Sequence, residues 1–133
     1  MRKGYLSGSF DVFHYGHLQL LKTAKKHCDY LIVGLGVDEL VRFQKGKCRP
    51  IFNLEQRTEM LMAIVYVDEV VSITTEKQFG IVLDIMPHIC FEGADGNKHL
   101  REILSELQLA PIITLNTEFK HTSDILNILK NNE

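Results

Sequence analysis

Residues 7–17 join a predicted strand to a predicted helix, and they read Ser7-Gly8-Ser9-Phe10-Asp11-Val12-Phe13-His14-Tyr15-Gly16-His17. Small residues end the strand, and two histidines stand at the start of the helix. The first turn of a helix has backbone N–H groups without intrahelical partners and carries the positive end of the helix dipole. A phosphate at this turn therefore finds donors already directed at it, and the segment predicts an anion site.

The side chains and glycines of this segment suit phosphate chemistry. Gly8 and Gly16 let backbone approach closely. With His14 just outside the helix and His17 in its first turn, both imidazoles can point toward one phosphate group. There they would donate hydrogen bonds or positive charge as negative charge shifts in a transition state. Structural histidines, a coincidental spacing or a metal pair are the competing interpretations, and the position directly after a strand favours phosphate chemistry over them.

Short apolar runs alternate with amphipathic stretches along the rest of the chain. This pattern predicts an α/β fold, a Rossmann-like parallel sheet of about five strands with helices on both faces. The predicted strands cover residues 4–9, 29–35, 69–73, 88–91 and 111–115. The predicted helices cover residues 16–27, a short stretch from Asp38, residues 54–66, residues 98–107, and a last stretch from Thr122 or Ser123.

Composition limits the class of protein. The 133 residues, 45% of them hydrophobic, predict one domain over residues 1–133. Fifteen basic and seventeen acidic residues give a net charge of −2, which disfavours nucleic acid and anionic lipid as partners. No apolar run approaches the roughly 18 residues that span a bilayer. The three cysteines lack a C-x-x-C pair and indicate reduced thiols, so we expect a cytoplasmic protein without a membrane partner.

Two motifs in the opening segment resemble those of a known superfamily. Gly8-Ser9-Phe10-Asp11 is similar to a G-[TS]-F-D turn, and His14-Tyr15-Gly16-His17 to the H-x-G-H motif of the nucleotidyltransferases, in particular their cytidylyltransferase branch. Length and layout are most similar to the glycerol-3-phosphate cytidylyltransferases. The resemblance implies that Gly8, Ser9, Phe10, Asp11, Gly16 and both histidines hold the triphosphate of the nucleotide.

The resemblance also assigns roles to basic residues further along the chain. It implies that Lys45 or Lys47, in the basic loop at residues 44–50, meets phosphate oxygens, with Lys45 counted among the catalytic groups. A flexible basic loop beside an anion site also suits closure over a polyphosphate, although an ordinary solvated loop explains the lysines as well. Arg57 matches an E-x-R motif, and an arginine there can fork onto a phosphate. The alternative for Arg57 is a surface ion pair with Glu55 or Glu59.

Two matches lie in the second half of the chain. Asp95, in Gly-Ala-Asp at residues 93–95, resembles a G-x-D turn of the nucleotide site. Thr122 and Ser123 resemble part of an I-S-T-[TS]-x-I signature whose hydroxyls bind the β- and γ-phosphates. A helix cap explains these two hydroxyls equally well on sequence alone.

Departures from the glycerol-3-phosphate pattern leave the base and the acceptor open. That pattern opens its tail signature with R-T-E-G-I-S, whereas residues 116–121 read Asn-Thr-Glu-Phe-Lys-His, and Val65 stands where an arginine is expected. Residues 45–57 look more like the heptose-1-phosphate adenylyltransferases. CTP with glycerol 3-phosphate is the first expectation. ATP with a sugar phosphate such as heptose 1-phosphate, and an inert nucleotide-binding module, are the alternatives.

The expected reaction requires the protein to position the two substrates and does not require a covalent intermediate with a side chain. The acceptor phosphate attacks the α-phosphorus in line and pyrophosphate leaves, so no nucleophilic side chain is required. Mg²⁺ is the expected cofactor, because the four negative charges of the triphosphate are costly to gather in a partly dry cleft. Histidines 27, 88 and 99 have no metal-ligand spacing, and we expect no protein-held metal. Family precedent implies a homodimer.

Overall fold

The computed structural model of the chain describes residues 1–115 and residue 130. Its strands are β1 (Lys3–Gly8), β2 (Tyr30–Gly36), β3 (Glu69–Ile73), β4 (Ile89–Glu92) and β5 (Ile112–Thr114). They pair in parallel as one sheet in the order β3-β2-β1-β4-β5. The predicted five-stranded parallel sheet is therefore confirmed.

Helices connect successive strands. They are α1 (Tyr15–Lys25), α2 (Asp38–Lys45), α3 (Leu54–Met62), α4 (Gln78–Ile85) and α5 (Lys98–Leu107). None of these described helices is long and apolar enough to cross a bilayer. The predicted last helix, with Thr122 and Ser123 at its start, lies outside the described residues.

The two faces of the sheet bury separate apolar clusters, because successive side chains of a strand point to opposite faces. Leu6 of β1 packs in a cluster with Leu21 of α1 and Leu61 of α3. Tyr5 of β1 packs in the other cluster, with Val82 of α4 and residues of α5. Helices therefore cover both faces, as predicted, and β2, which lies between β3 and β1, is buried from Leu31 to its end.

Two elements differ from the sequence prediction. Helix α4 was not predicted, because its sequence Gln-Phe-Gly-Ile-Val-Leu-Asp-Ile is apolar almost all round and contains a glycine, so it shows little helical periodicity. Helix α3 ends at Met62 rather than at residue 66. Its last turn tightens, with Ala63 and Ile64 donating to carbonyls three residues back, and the chain then turns toward β3.

The order of the strands places a crevice. The chain runs from β1 through β2 to β3 on one side, and β4 and β5 lie on the other side of β1. Connections from β1 and β4 thus leave in opposite directions. Parallel sheets of this kind bind ligands outside the carboxyl ends of their strands, at the point where the order reverses.

Candidate functional site

A cleft of about 730 Å³ opens at that crevice. The ends of β1, β2 and β3, the loop after β4 and the first turns of α4 and α5 surround it. Its lining includes Ser7, Gly8, Ser9, Phe10, His17, Lys45, Gln78, Asp95 and Asn97. The structure thus brings six of the predicted site residues to one cavity, namely Gly8, Ser9, Phe10, His17, Lys45 and Asp95.

His14 and His17 form the start of α1. His14 is the residue before the helix, and its Nδ1 accepts from the backbone N–H of Gly16 at 3.1 Å. His17 reaches back, and its Nδ1 accepts from the backbone N–H of His14 at 3.2 Å. The rings stack with centroids 3.7 Å apart. Two histidines therefore close the reciprocal cap that serine or threonine and glutamate usually form.

These backbone bonds fix the tautomer of both neutral imidazoles. A ring nitrogen that accepts a hydrogen bond carries no proton, so the proton lies on Nε2 in each ring. Each histidine thereby becomes a donor through Nε2, and the stacking keeps the two rings side by side. The predicted location of both residues at the helix start is confirmed, and His17 lines the cleft.

The turn between β1 and α1 has a strained backbone. Phe10 and Val12 have φ of 46° and 54°, in the left-handed region that bulky and β-branched residues rarely adopt. The ring of Phe10 is buried and lies 5.1 Å from the ring of His17, between centroids. A Cβ on Gly8 would lie 3.0 Å from the Phe10 ring, so Gly8 makes room for the aromatic that supports His17.

Asp11 has a different contact from the one expected. Its carboxylate is fully buried and accepts hydrogen bonds from Arg49 Nε at 2.6 Å and from the backbone N–H groups of Ile51 and Phe52. Burial alone would raise the pKa of Asp11, but the Phe52 amide, Arg49 and the Ile51 amide outweigh it and hold the pKa below its ordinary value. Asp11 therefore anchors residues 49–52 to the turn rather than holding the triphosphate itself.

Arg57 has contacts that the sequence did not reveal. Its side chain is fully buried and does not line the cleft. Its guanidinium donates to the carbonyl oxygens of Phe52, Ser9 and Gly36 at 2.8–2.9 Å, and to the Asp38 carboxylate at 2.7 Å. Arg57 therefore ties the turn after β1, the start of α2 and residue 52 to α3, and its ion pair is with Asp38 rather than with Glu55 or Glu59 at the surface.

The two loop lysines differ in position. Both are exposed, but Lys45 ends α2 and lines the cleft, whereas Lys47 lies in the following loop and does not line it. The pKa of Lys45 lies below its ordinary value because its ammonium is partly withdrawn from water and faces the positive charge of Arg49. Gly46, with φ of 104°, ends the helix in a conformation that suits glycine alone. Of the two lysines, Lys45 is therefore the one whose position suits the predicted contact with phosphate.

Glu92 supports the opposite wall and was not anticipated from the sequence. It ends β4, is buried, and accepts hydrogen bonds from Arg101, the Asn97 backbone and the Thr114 hydroxyl. The Arg101 guanidinium holds the pKa of Glu92 below its ordinary range. These bonds fix residues 93–97, which bring Asp95 to the cleft. A charged residue that ends an otherwise apolar run and precedes a Gly-rich turn is the signal that would have identified it.

The remaining predicted residues are placed as follows. Gly16 is buried in the first turn of α1 and donates to His14 rather than lining the cleft. Within residues 1–115, no group of three His, Cys, Asp or Glu side chains is arranged to hold a metal ion. Cys28, Cys48 and Cys90 are free thiols.

A strained turn and a histidine-capped helix stand at the reversal point of a parallel sheet, where such folds offer backbone donors to anionic ligands. The chain belongs to the cytidylyltransferase-like family, whose model matches residues 5–128. The resemblance inferred from residues 8–17 is thereby confirmed.

Curated relatives support the same membership. The chain is 34% identical over 129 residues to the bifunctional protein HldE of Campylobacter fetus subsp. fetus, with 95% of this chain and 27% of that protein covered. It is 32% identical over 132 residues to the bifunctional protein HldE of Aliarcobacter butzleri, with 97% and 27% covered. The chain thus spans about a quarter of the length of these relatives.

Solved structures share the fold. A lipopolysaccharide core biosynthesis protein from Thermoplasma volcanium superposes with a TM-score of 0.79 at 24% identity, over 90% of this chain and 99% of that one. TmcAL from Thermotoga maritima, solved with alpha-thio ATP, gives a TM-score of 0.72 at 12% identity, over 99% of this chain and 51% of the other.

Proposed function

We propose that the chain transfers a nucleoside monophosphate from a nucleoside triphosphate to a phosphorylated alcohol or sugar and releases pyrophosphate. The observation that carries this proposal is the reciprocal cap of His14 and His17, which engages Nδ1 of both rings at a helix start and holds the His17 ring in the lining of the cleft. Family membership supports the same reaction class.

In the proposed mechanism the protein places and stabilises charge. The triphosphate lies at the mouth of α1, where Gly8, Ser9 and Phe10 line the cleft. A phosphate oxygen of the acceptor attacks the α-phosphorus, and the bond to the β-phosphate oxygen breaks as pyrophosphate leaves. His14, His17 and Lys45 stabilise the negative charge that shifts toward the leaving group. Thr122 and Ser123 remain proposed contacts of the outer phosphates.

Mg²⁺ fits this site as a companion of the nucleotide. The described residues offer no set of three ligating side chains, and Mg²⁺ is commonly held by substrate phosphates and water with one or two carboxylates. Asp95 and Glu102 are acidic side chains that line the cleft. When bound, the ion would neutralise part of the triphosphate charge.

The relatives favour one pair of substrates. The HldE relatives and the residues around Lys45–Arg57 point to adenylyl transfer from ATP to a sugar phosphate such as heptose 1-phosphate. The description of the family model as cytidylyltransferase-like favours CTP with glycerol 3-phosphate as the second candidate. A homodimer stays a prediction for gel filtration or light scattering to check.

A pyrophosphate assay separates these candidates. The protein is incubated with Mg²⁺, with ATP or CTP, and with a panel that includes heptose 1-phosphate and glycerol 3-phosphate. We expect pyrophosphate release with ATP and a sugar phosphate. Release only with CTP and a polyol phosphate would select the second candidate. Thermal stabilisation by nucleotide without release from any pair would contradict the proposed reaction and identify an inert nucleotide-binding module.

A further inference from the structure

Gln78 is a buried polar residue of the cleft that the mechanism above does not use. It is the first residue of α4, only 4% exposed, and lines the cleft. Its Oε1 accepts a hydrogen bond from the hydroxyl of Tyr5 at 3.0 Å. Within residues 1–115, no residue accepts a hydrogen bond from its Nε2.

The contact with Tyr5 determines which end of this carboxamide faces inward. Tyr5 is fully buried, and its hydroxyl donates to Gln78 Oε1. An amide nitrogen in place of Oε1 would leave the proton of the buried phenol without this acceptor. Nearby, Asn97 caps α5 by accepting from the Leu100 backbone N–H at 3.1 Å, and its Nδ2 donates to Ser7 Oγ at 2.8 Å.

Burial raises the pKa of the Tyr5 phenol far above its ordinary value, so Tyr5 keeps the proton that it donates to Gln78. Packing also holds the phenol in place, because a Cβ on Gly34 would collide with it. The oxygen of Gln78 is therefore turned inward, and its nitrogen is the polar atom left for a ligand in the cleft.

The position of Gln78 indicates which ligand this nitrogen meets. In the proposed function the triphosphate occupies the mouth of α1, and Asp95, after β4, belongs to the nucleotide side. Gln78 and Thr75 follow β3, on the other side of β1 in the sheet order, and both line the cleft. This part of the cleft is left for the second substrate.

We propose that Gln78 is a specificity-determining residue whose Nε2 donates a hydrogen bond to an oxygen of the phosphorylated acceptor. The proposal rests on the proposed nucleotidyl transfer. It predicts that substitution of Gln78 changes recognition of the acceptor and leaves recognition of the nucleotide alone.

The test uses the full chain with saturating Mg²⁺ and ATP or CTP, and follows pyrophosphate while the working sugar or polyol phosphate is varied. Gln78→Met keeps the length of the side chain but removes the donor, and we expect the acceptor KM to rise about five- to tenfold with the nucleotide KM within about twofold of wild type. Gln78→Glu keeps an acceptor for Tyr5 and replaces the donor, so it serves if the methionine variant is unstable. Glu76→Gln, at an exposed position of the same turn, is the matched control.

Monodeoxy analogues of the working acceptor sharpen the result. The analogue that lacks the recognised hydroxyl should have the same KM with wild type and with Gln78→Met. Wild-type turnover combined with an unchanged acceptor KM in both folded variants would overturn the role of Gln78 while the proposed function stands. An equal rise in both KM values would show a structural role instead and also overturn it. If the wild type releases no pyrophosphate with any pair, the proposed function fails and this inference fails with it.

Discussion

His14 and His17 each accept a backbone hydrogen bond through Nδ1 while their rings stack at 3.7 Å, so one arrangement both starts α1 and holds the His17 ring in the lining of the cleft. In the proposed mechanism, helix capping and catalysis are therefore coupled. A substitution at either position changes the helix start together with the charge and donors of the site, and the two effects have to be separated by experiment.

Replacement of His17 tests the proposed chemistry. We expect His17→Ala to lower turnover by at least about two orders of magnitude, as when a preorganised transition-state donor is removed. Circular dichroism should show the fold intact. His17→Gln is the matched variant, because glutamine at this position preserves the capping box and so isolates the loss of the imidazole. Wild-type turnover in a folded His17→Ala protein would contradict the assignment.

The region around these histidines also shows what a sequence reveals. The strand, the glycine and the spacing of His14 and His17 predicted an anion site, because helix geometry alone determines which groups face a ligand there. The same sequence did not reveal that Asp11 and Arg57 point away from the cleft. Their partners lie 38 to 41 residues away for Asp11, and up to 48 residues away for Arg57, so only the folded chain brings them together.

The helix and the site residues that the sequence did not reveal depend on contacts between distant segments rather than on a local pattern. Helix α4 has too little amphipathic periodicity to be recognised, and without it Gln78 could not be placed at the mouth of the sheet. Glu92 and Asn97 act through bonds to Arg101 and Ser7, which are set by packing of α5 on β4 rather than by local pattern. Strands were predicted well because continuous apolar runs are typical of a sheet that is buried on both faces.

The buried ion pair of Asp11 with Arg49 should contribute stability that depends on pH. Because the pKa of Asp11 is depressed in the folded state, this contribution is present above its unfolded pKa of 3.8 and is lost as pH falls through the lower folded value. Asp11→Asn should destabilise the protein by on the order of 3 kcal/mol at neutral pH, since Arg49 is left buried without its partner. Urea unfolding at pH 7 and below pH 4 measures both effects.

The acid dependence supplies the control for this prediction. The difference in unfolding free energy between wild type and Asp11→Asn should shrink below pH 4, because Asp11 of the unfolded wild type takes up a proton there while the folded protein, with its lower pKa, does not. A difference that stays constant across this range would show that the ion pair is not its source.

Arg57 should matter for stability rather than for nucleotide affinity. Arg57→Lys keeps the charge but cannot reach three carbonyl oxygens and the Asp38 carboxylate together, so we expect a loss of about 3 kcal/mol or more in unfolding free energy. Thermal or urea denaturation measures it. A variant of wild-type stability with a raised nucleotide KM would instead support the direct phosphate contact that the sequence suggested.

The two loop lysines provide a matched pair that tests the position of the phosphate. Lys45 lines the cleft and Lys47 does not, so Lys45→Ala should lower kcat/KM for the nucleotide at least about tenfold, while Lys47→Ala changes it little. Because the pKa of Lys45 is lowered from 10.5, the wild-type rate should decline on the alkaline side earlier than an ordinary lysine would allow, as the ammonium loses its proton. Lys45→Arg stays charged in this range, so it should move that decline to higher pH. Equal losses in both alanine variants would place the phosphate contact in the loop as a whole rather than at Lys45.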